Sequence, residues 1–347
     1  MILEQLSNAV GISGQEEAVR QIILEAIAGH VEDIRIDPMG SITAIKKGNQ
    51  KKLPRVMIAA HMDEVGFMVT GFESNGLIRF ASIGGVDVRI LPGLRVKVGK
   101  DLLPGVIIWL PIHKNRDQNT QDIDKLRIDI GATSKDEAQG KIKRGDPVAF
   151  DARFMEIGAT RLRGKAFDDR VGCSLLVDVL QGGPYPVDIL AAFTVQEEVG
   201  LRGARVAAQT LAPDVAFVLE GTTAHDLPNP LADPDDEETV NPASRIGQGP
   251  VLTVMDRTMI ADPRLLNFLR QIGDTQGIPY QLKTLAAGGT DAGAIHVTGR
   301  GVPSAVIAMP CRYIHSPTAY LSTEDYGSAL KLMQTALQQI TFAVLTQ

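Results

Sequence analysis

The sequence predicts an α/β protein: a largely parallel sheet flanked by helices, with a small β-rich domain inserted into it. Three observations carry this. Short, strongly apolar runs such as Val56-Met57-Ile58-Ala59-Ala60 and Val215-Ala216-Phe217-Val218-Leu219 alternate with stretches of helical periodicity, the pattern of strands buried on both faces. Between residues 67 and 160 that rhythm breaks into short β-rich runs punctuated by Gly and Pro. At 347 residues the chain is long enough for one large domain and a smaller partner. The expected division is a main domain in two pieces, 1–66 and 161–347, around an insert at 67–160.

Each element has a local reason. Ser13-Gly14-Gln15-Glu16 has the spacing of a capping box, and Val19, Ile22, Ile23 and Ile27 recur on one helical face, predicting a helix that ends near Gly29. The apolar run at 56–60 then predicts a strand that stops at His61-Met62-Asp63-Glu64. Within the insert, Ser134 and Glu137 are placed to open a brief helix, 147–150 has the composition of a closing strand, and 114–125 reads as an exposed loop. Helical spacing resumes from 171 to 180, after Phe167-Asp168-Asp169-Arg170. A strand at 187–195 delivers Gln196-Glu197-Glu198, an Ala-rich helix runs to about Leu211, and the strand at 215–219 ends in Glu220-Gly221. The segment 226–249, with five acids between Asp233 and Glu238, is too polar for a core and predicts a surface loop. Asp262-Pro263 supplies a cap and a first helical position before Leu265, Leu266 and Leu269. A strand at 280–285, a short helix after Gly288-Gly289-Thr290-Asp291, a strand at 305–309 and a final helix from about Ser322, carrying Leu330, Met333, Leu337 and Ile340, complete the chain.

Composition narrows the function. The net charge of -6 excludes the dense basic face that phosphate binding needs, so nucleic acid is not an expected partner. No run is long and apolar enough to span a membrane, and Met1-Ile2-Leu3-Glu4-Gln5 lacks the basic flank of a secretory signal, which points to the cytoplasm. Cys173 and Cys311 are the only cysteines, too few for a disulfide framework or a thiolate cluster. A metal here would be held by His and carboxylate.

The polar residues at the strand ends offer that set. In open α/β sheets the functional crevice lies beyond the carboxyl ends of the strands. His61, Glu197, Glu220 and His315 all fall there, and Asp168 and Asp169 stand just before a helix. Two imidazoles and several acids without a thiolate suit zinc, cobalt or manganese. Two metals sharing one carboxylate, each with one His and one further acid, need two imidazoles and three carboxylates. His61, His315, Asp168, Glu198 and Glu220 supply them, with Asp168 rather than Asp169 as the expected bridge. Glu197 is then free to carry protons, and Asp63 is placed to orient the His61 ring. Other features read more plainly. His225 and His296 suit surface or packing roles, as does His113 at a strand end. Cys311 reads as a small buried hydrophobe. Gly288, Gly289 and Asp291 fit either a turn or a close approach of backbone to substrate.

The elements AHMDEVG, GKAFDDRVG, TVQEEVG, LEGTT, GGTDAGAIH and CRYIHSP, in this order, resemble those of the TET-type aminopeptidases. These are dinuclear metallopeptidases that include glutamyl and leucyl aminopeptidases and chains labelled endoglucanase. The resemblance covers nearly the whole chain, insert included. It implies a phosphorylase/hydrolase-like mixed sheet, an inserted dimerisation domain, and dimers assembling into a dodecamer. It makes His61, Asp168 and Glu220 ligands of one metal and Asp168, Glu198 and His315 ligands of the other, with Glu197 as general base and Asp63 as its support. Glu220 stands where many relatives carry Asp. The implied reaction is release of the N-terminal residue from a peptide. Deacylation of acyl amino acids and glycoside hydrolysis, which also uses paired acids, are the alternatives.

Overall fold

A computed structural model describes residues 2–108, 122–227, 244–284 and 288–346. Among them the apolar runs pair into one sheet of eight strands. Numbered in chain order together with those of the insert, its members are β1 (Glu32–Ile36), β2 (Ile42–Lys46), β3 (Val56–His61), β12 (Ile189–Thr194), β13 (Val215–Thr223), β14 (Val251–Thr253), β15 (Gln281–Lys283) and β16 (Ser304–Cys311). They lie in the order β1-β2-β12-β3-β13-β16-β14-β15. The middle strands β12, β3, β13 and β16 run parallel, whereas β2 meets β12 and β14 meets β16 antiparallel. The sheet is therefore mixed: its four central strands run parallel, and the edge strand β15 pairs parallel with β14.

Alternation along the central strands explains their unbroken apolar runs. In β3, Val56, Ile58 and Ala60 face one core, while Met57 and Ala59 face another. The first core is filled by α1 (Leu3–Asn8), α2 (Glu17–Ile27), α4 (Phe167–Gln181), α6 (Pro263–Gln276) and α8 (Thr323–Gln339). The second is thinner and rich in alanine, and α5 (Arg202–Leu211) and the single turn α7 (Ala292–Ile295) close it. No helix among the described residues is long and apolar enough to cross a membrane.

The insert forms a closed six-stranded barrel of β4 (Gly66–Phe72), β5 (Ile78–Ile83), β6 (Arg95–Val98), β7 (Leu103–Ile107), β8 (Ile128–Asp129) and β9 (Pro147–Phe150). It has its own core, in which Phe67 meets Phe80 and Phe150 edge to face at 5.1 and 5.7 Å. Its helix α3 (Lys135–Lys141) is capped by Ser134, whose hydroxyl accepts from Glu137 N. Beyond the barrel, β10 (Met155–Ile157) and β11 (Arg161–Gly164) form a separate three-stranded sheet with β17 (Ala319–Ser322).

Local expectations fail in two places. Ser13 does not cap α2: that helix begins at Glu17 with no side-chain cap, because the Ser13 hydroxyl is drawn to Asp63 at 2.6 Å. The strand expected to stop at Glu220 continues to Thr223, since β16 pairs with it from Ala216 through Thr223. The acid thus sits inside a strand and not in a turn. His113, most of the stretch 114–125, Leu285 and the acidic run 233–238 lie outside the described residues.

Candidate metal centre

Separate elements bring the polar residues to one end of the parallel strands. His61 is the last residue of β3, and Thr194 opposite it in the β12 register leads three residues on to Glu197. Glu220 lies within β13, and His315 follows β16. Asp168 and Asp169 open α4 with non-helical backbone, joined by a cis peptide bond. Gly221 is required beside them, because a Cβ there would stand 2.9 Å from Asp168 Cα. Ala166, Gln196 and His315 hold positive φ of 55°, 58° and 57°, so non-glycine residues around the centre sit in strained backbone that the surrounding fold must impose.

Asp168 stands at the middle of the site. Its Oδ1 is 3.1 Å from His61 Nε2, and its Oδ2 is 3.2 Å from His315 Nε2. Glu220 Oε1 approaches His61 Nε2 at 3.4 Å, and Glu198 Oε1 approaches His315 Nε2 at 3.3 Å. Glu197 Oε2 is set back, 4.0 Å from His61 Nε2. Ligand atoms of His61, Asp168 and Glu198 lie within 4.8 Å of one another, as do those of His61, Asp169 and Glu220. Glu198 Oε1 and Glu220 Oε2 are buried without an aligned hydrogen-bond donor.

Asp63 locks this arrangement from beneath. Fully buried, it accepts from Glu197 N at 3.0 Å and lies 3.3 Å from His61 Nδ1 through Oδ1, and it accepts from Ser13 Oγ at 2.6 Å and Glu198 N at 3.2 Å through Oδ2. On the other side, His315 Nδ1 meets Gly85 O at 2.7 Å, so each imidazole is fixed by the nitrogen it turns away from the centre. Asp169 is committed to backbone, accepting from Gly172 N at 2.9 Å and His61 N at 3.0 Å. Behind it, the buried Glu64 accepts from Lys165 at 2.6 and 2.7 Å, from Arg170 at 3.2 Å and from Gly11 N at 3.0 Å. Burial pushes the Lys165 ammonium down to about 8 even so.

The electrostatics show an excess of buried acid. Burial pushes the Glu220 carboxyl up to about 8 and the Glu197 carboxyl well above its usual value, with neighbouring carboxylates adding to both. Burial opposes charge on His315, but Asp168 and Glu198 outweigh it and raise the ring to about 11. Asp168 is buried too, yet the His315 and His61 rings hold it well below the carboxylate range. Among the described residues, the seven carboxylates of Asp63, Asp168, Asp169, Glu197, Glu198, Glu220 and Asp291 gather around two imidazoles, with the Lys283 ammonium at the cleft wall. Such a set calls for added positive charge.

The centre opens into a cleft of about 690 Å³ whose walls include Thr222, His225, Arg257, Lys283, Gly288 and Gly289. All the residues singled out from sequence for chemistry (His61, Asp63, Asp168, Glu197, Glu198, Glu220 and His315) thus lie together. His296 does not join them, its Nδ1 meeting Ala292 O within its own turn, and both cysteines are buried with thiols pushed up by burial. Sequence reasoning missed Ser13, the Glu64, Lys165 and Arg170 network, and the inward role of Asp291. Asp291 is fully buried, accepts from the Thr194 hydroxyl, is pushed up to about 6 by burial, and leaves Oδ1 without a donor. These acids and bases lie inside the motifs already quoted. A charged residue within an otherwise apolar motif was the available signal.

Comparison with known proteins bears on the fold and the family. An aminopeptidase from Desulfurococcus kamchatkensis superimposes with a TM-score of 0.93 at 35% identity, covering 99% of this chain and 95% of that one. The Pyrococcus horikoshii TET1 peptidase, described as assembling into a tetrahedron or a large octahedral shell, gives a TM-score of 0.85 at 30% identity over 97% of this chain and 98% of its own. The lysyl aminopeptidase of Pyrococcus furiosus is 30% identical over 349 residues, 98% of this chain and 96% of that protein. The profile of the M42 glutamyl aminopeptidases matches residues 40–332, and the chain belongs to this family of metallopeptidases.

Proposed function

We propose that the chain removes N-terminal residues from peptides at a site for two divalent cations, with His61, Asp168 and Glu220 holding one and Asp168, Glu198 and His315 the other. The observation that carries this is the placement of Asp168, whose two oxygens each face a different imidazole at 3.1 and 3.2 Å, as a bridging carboxylate requires. The undonated oxygens of Glu198 and Glu220 fit further ligand positions, and Asp169 is unsuited because backbone already uses both of its oxygens. A donor set of imidazole and carboxylate favours zinc, cobalt or manganese. Bound there, such cations would supply Lewis-acid polarisation of the scissile carbonyl and acidify a water.

The chain's own residues do the rest. The Glu197 carboxylate faces the centre without serving as a ligand, and it moves a proton from the attacking water to the leaving nitrogen. Burial raises its pKa, the direction that favours its taking up the proton in the first half of that transfer. Asp63 holds the Glu197 and Glu198 amides and the His61 ring in register while this happens. The free amine of the substrate finds acidic neighbours in the same cleft, which favours exopeptidase action. A glycosidase working by two carboxylates would need neither imidazole. Assembly of dimers into a dodecamer through the barrel is proposed on the strength of the TET relatives.

Chelation tests the whole reading. Dialysis against a strong chelator should cut hydrolysis of a free peptide at least about a hundredfold, and zinc, cobalt or manganese should restore it. N-acetylated peptides should resist cleavage throughout. Activity that survives metal removal, or equal cleavage of blocked and free peptides, would overturn the proposal.

A further inference from the structure

We propose that the groove between the β5–β6 connection of the barrel and the loop carrying His315 binds the side chain of the substrate's second residue and selects a large apolar one; this rests on the aminopeptidase reading above. The groove measures about 590 Å³ and joins the cleft at the metal centre. Gly85, Ile314 and His315 line both spaces. The His315 ring stands where they meet, its Nε2 turned to Asp168 and Glu198 and its Nδ1 against Gly85 O.

That junction sorts the two sides of a scissile bond. On one side the cleft carries Glu197, Glu198 and Glu220, the acids suited to a cationic free amine, and its further walls come from β13, β14 and β15. The groove on the other side contains none of these carboxylates. The Cα of the second residue stands about 3.8 Å from that of the first. Because the groove begins at the proposed ligand His315, the second side chain is the first one able to enter it.

The walls of the groove suit an apolar occupant. Ile90 and Tyr313 are 36% and 49% exposed there, and Leu94 and Pro317 add apolar surface. Large apolar side chains left open beside a reaction centre mark a binding surface. Asp87 is the one acid on the wall among the described residues, and both of its oxygens engage Arg89 Nε, at 3.0 and 2.9 Å. The shape is set in advance. Asp87 Oδ1 also accepts from Arg89 N at 2.9 Å, opening the turn that bears Ile90, and Tyr313 meets Tyr320 edge to face at 6.2 Å. Covering this surface is favourable for Phe or Leu and neutral for Gly, whereas a charged side chain gives up water without gaining a partner.

The test is initial release of the first residue from tripeptides Xaa-Phe-Gly, Xaa-Gly-Gly and Xaa-Lys-Gly, with Glu, Leu or Lys as Xaa, by the metal-loaded enzyme and by Ile90→Asp. For every first residue that is cleaved, kcat/KM with Phe second should exceed that with Gly second by about tenfold or more in the wild type. In Ile90→Asp that ratio should fall about fivefold or more while the ratio of Lys to Gly rises. Ratios within each protein cancel any general loss of activity. Equal rates for Phe and Gly in the wild type, or an unchanged ratio in the variant, overturn the proposal. A variant whose assembly size changes on size-exclusion chromatography while its Phe-to-Gly ratio stays assigns the groove to a second copy of the chain, which overturns it too. If Ile90→Asp fails to fold, Ile90→Ala is measured in its place with the same fall expected. If no tripeptide is cleaved, the aminopeptidase reading falls; cleavage without a preference at the second residue removes the subsite alone.

Discussion

Replacing Asp63 by Asn exchanges one oxygen for an NH2 group and asks how much of the centre one carboxylate organises. Each of its oxygens serves two donors: Oδ1 serves Glu197 N and the His61 ring, and Oδ2 serves Ser13 Oγ and Glu198 N. An amide has one acceptor end, so its orientation matters. With the NH2 at the Oδ1 position, the Glu197 amide loses its partner, and the His61 ring, whose Nδ1 keeps the Asp63 carbonyl at 3.1 Å, loses its carboxylate neighbour and gains an opposing N–H. With the NH2 at the Oδ2 position, the Ser13 hydroxyl can rotate to accept, and only the Glu198 amide is stranded. The second orientation wins, and leaving one buried amide unpaired costs about 1–3 kcal/mol. That cost falls on the backbone of Glu198, a proposed ligand, and the ring of His61 loses a negative partner. Metal affinity should therefore drop about 10–100-fold. Asp63→Ala, which strands the amides on both sides, should lose more stability than Asn does. Denaturant unfolding of the metal-free protein reads the first quantity, and competition with a chromophoric chelator reads the second. An Asn variant with wild-type stability and metal affinity would refute the assignment of Asp63 as the organiser of the site.

How much of this was legible in the sequence depended on the range of the interaction. The central strands announced themselves because residues on both faces are apolar, and β3, with every residue buried, is the clearest case. The flanking strands are shorter and polar. β1 is exposed along its whole length and β15 has three residues, so their placement at the two edges had no comparable signal. The centre was legible because strand ends in an α/β sheet converge by topology, whatever their separation in sequence. What was hidden were choices that side chains make between local and distant partners. Ser13 has the spacing of a cap, yet its hydroxyl goes to a buried carboxylate 50 residues away. Charge-assisted bonds are stronger than the neutral cap they displace, and only the folded distance reveals the option. Glu220 is similar: the apolar run stops at Leu219 and the strand was expected to end there, but in the fold Gly221 makes room for Asp168 and the strand runs on.

Glu197→Gln should retain both cations, since Glu197 is not among the proposed ligands, and should lose at least about a hundredfold in kcat. Metal analysis with steady-state kinetics checks both halves, and more than about a tenth of the wild-type rate would contradict the proton-carrying role. Glu16 gives a test by pH. Burial pushes its carboxyl from 4.5 up to about 7, with Asp63 adding to the shift and the Gly14 amide opposing it. The folded value lies above the unfolded one, so the native state keeps a proton that the unfolded chain releases. The associated stability is whole below about 4.5 and is lost as pH rises through about 7. Glu16→Gln removes this titration while its amide oxygen can still accept from Gly14 N. The stability of the variant relative to wild type should therefore improve by about 1–3 kcal/mol between roughly pH 5 and pH 8. Urea unfolding at those two values measures it, and a difference that does not change with pH would show that Glu16 is already ionised in the folded protein.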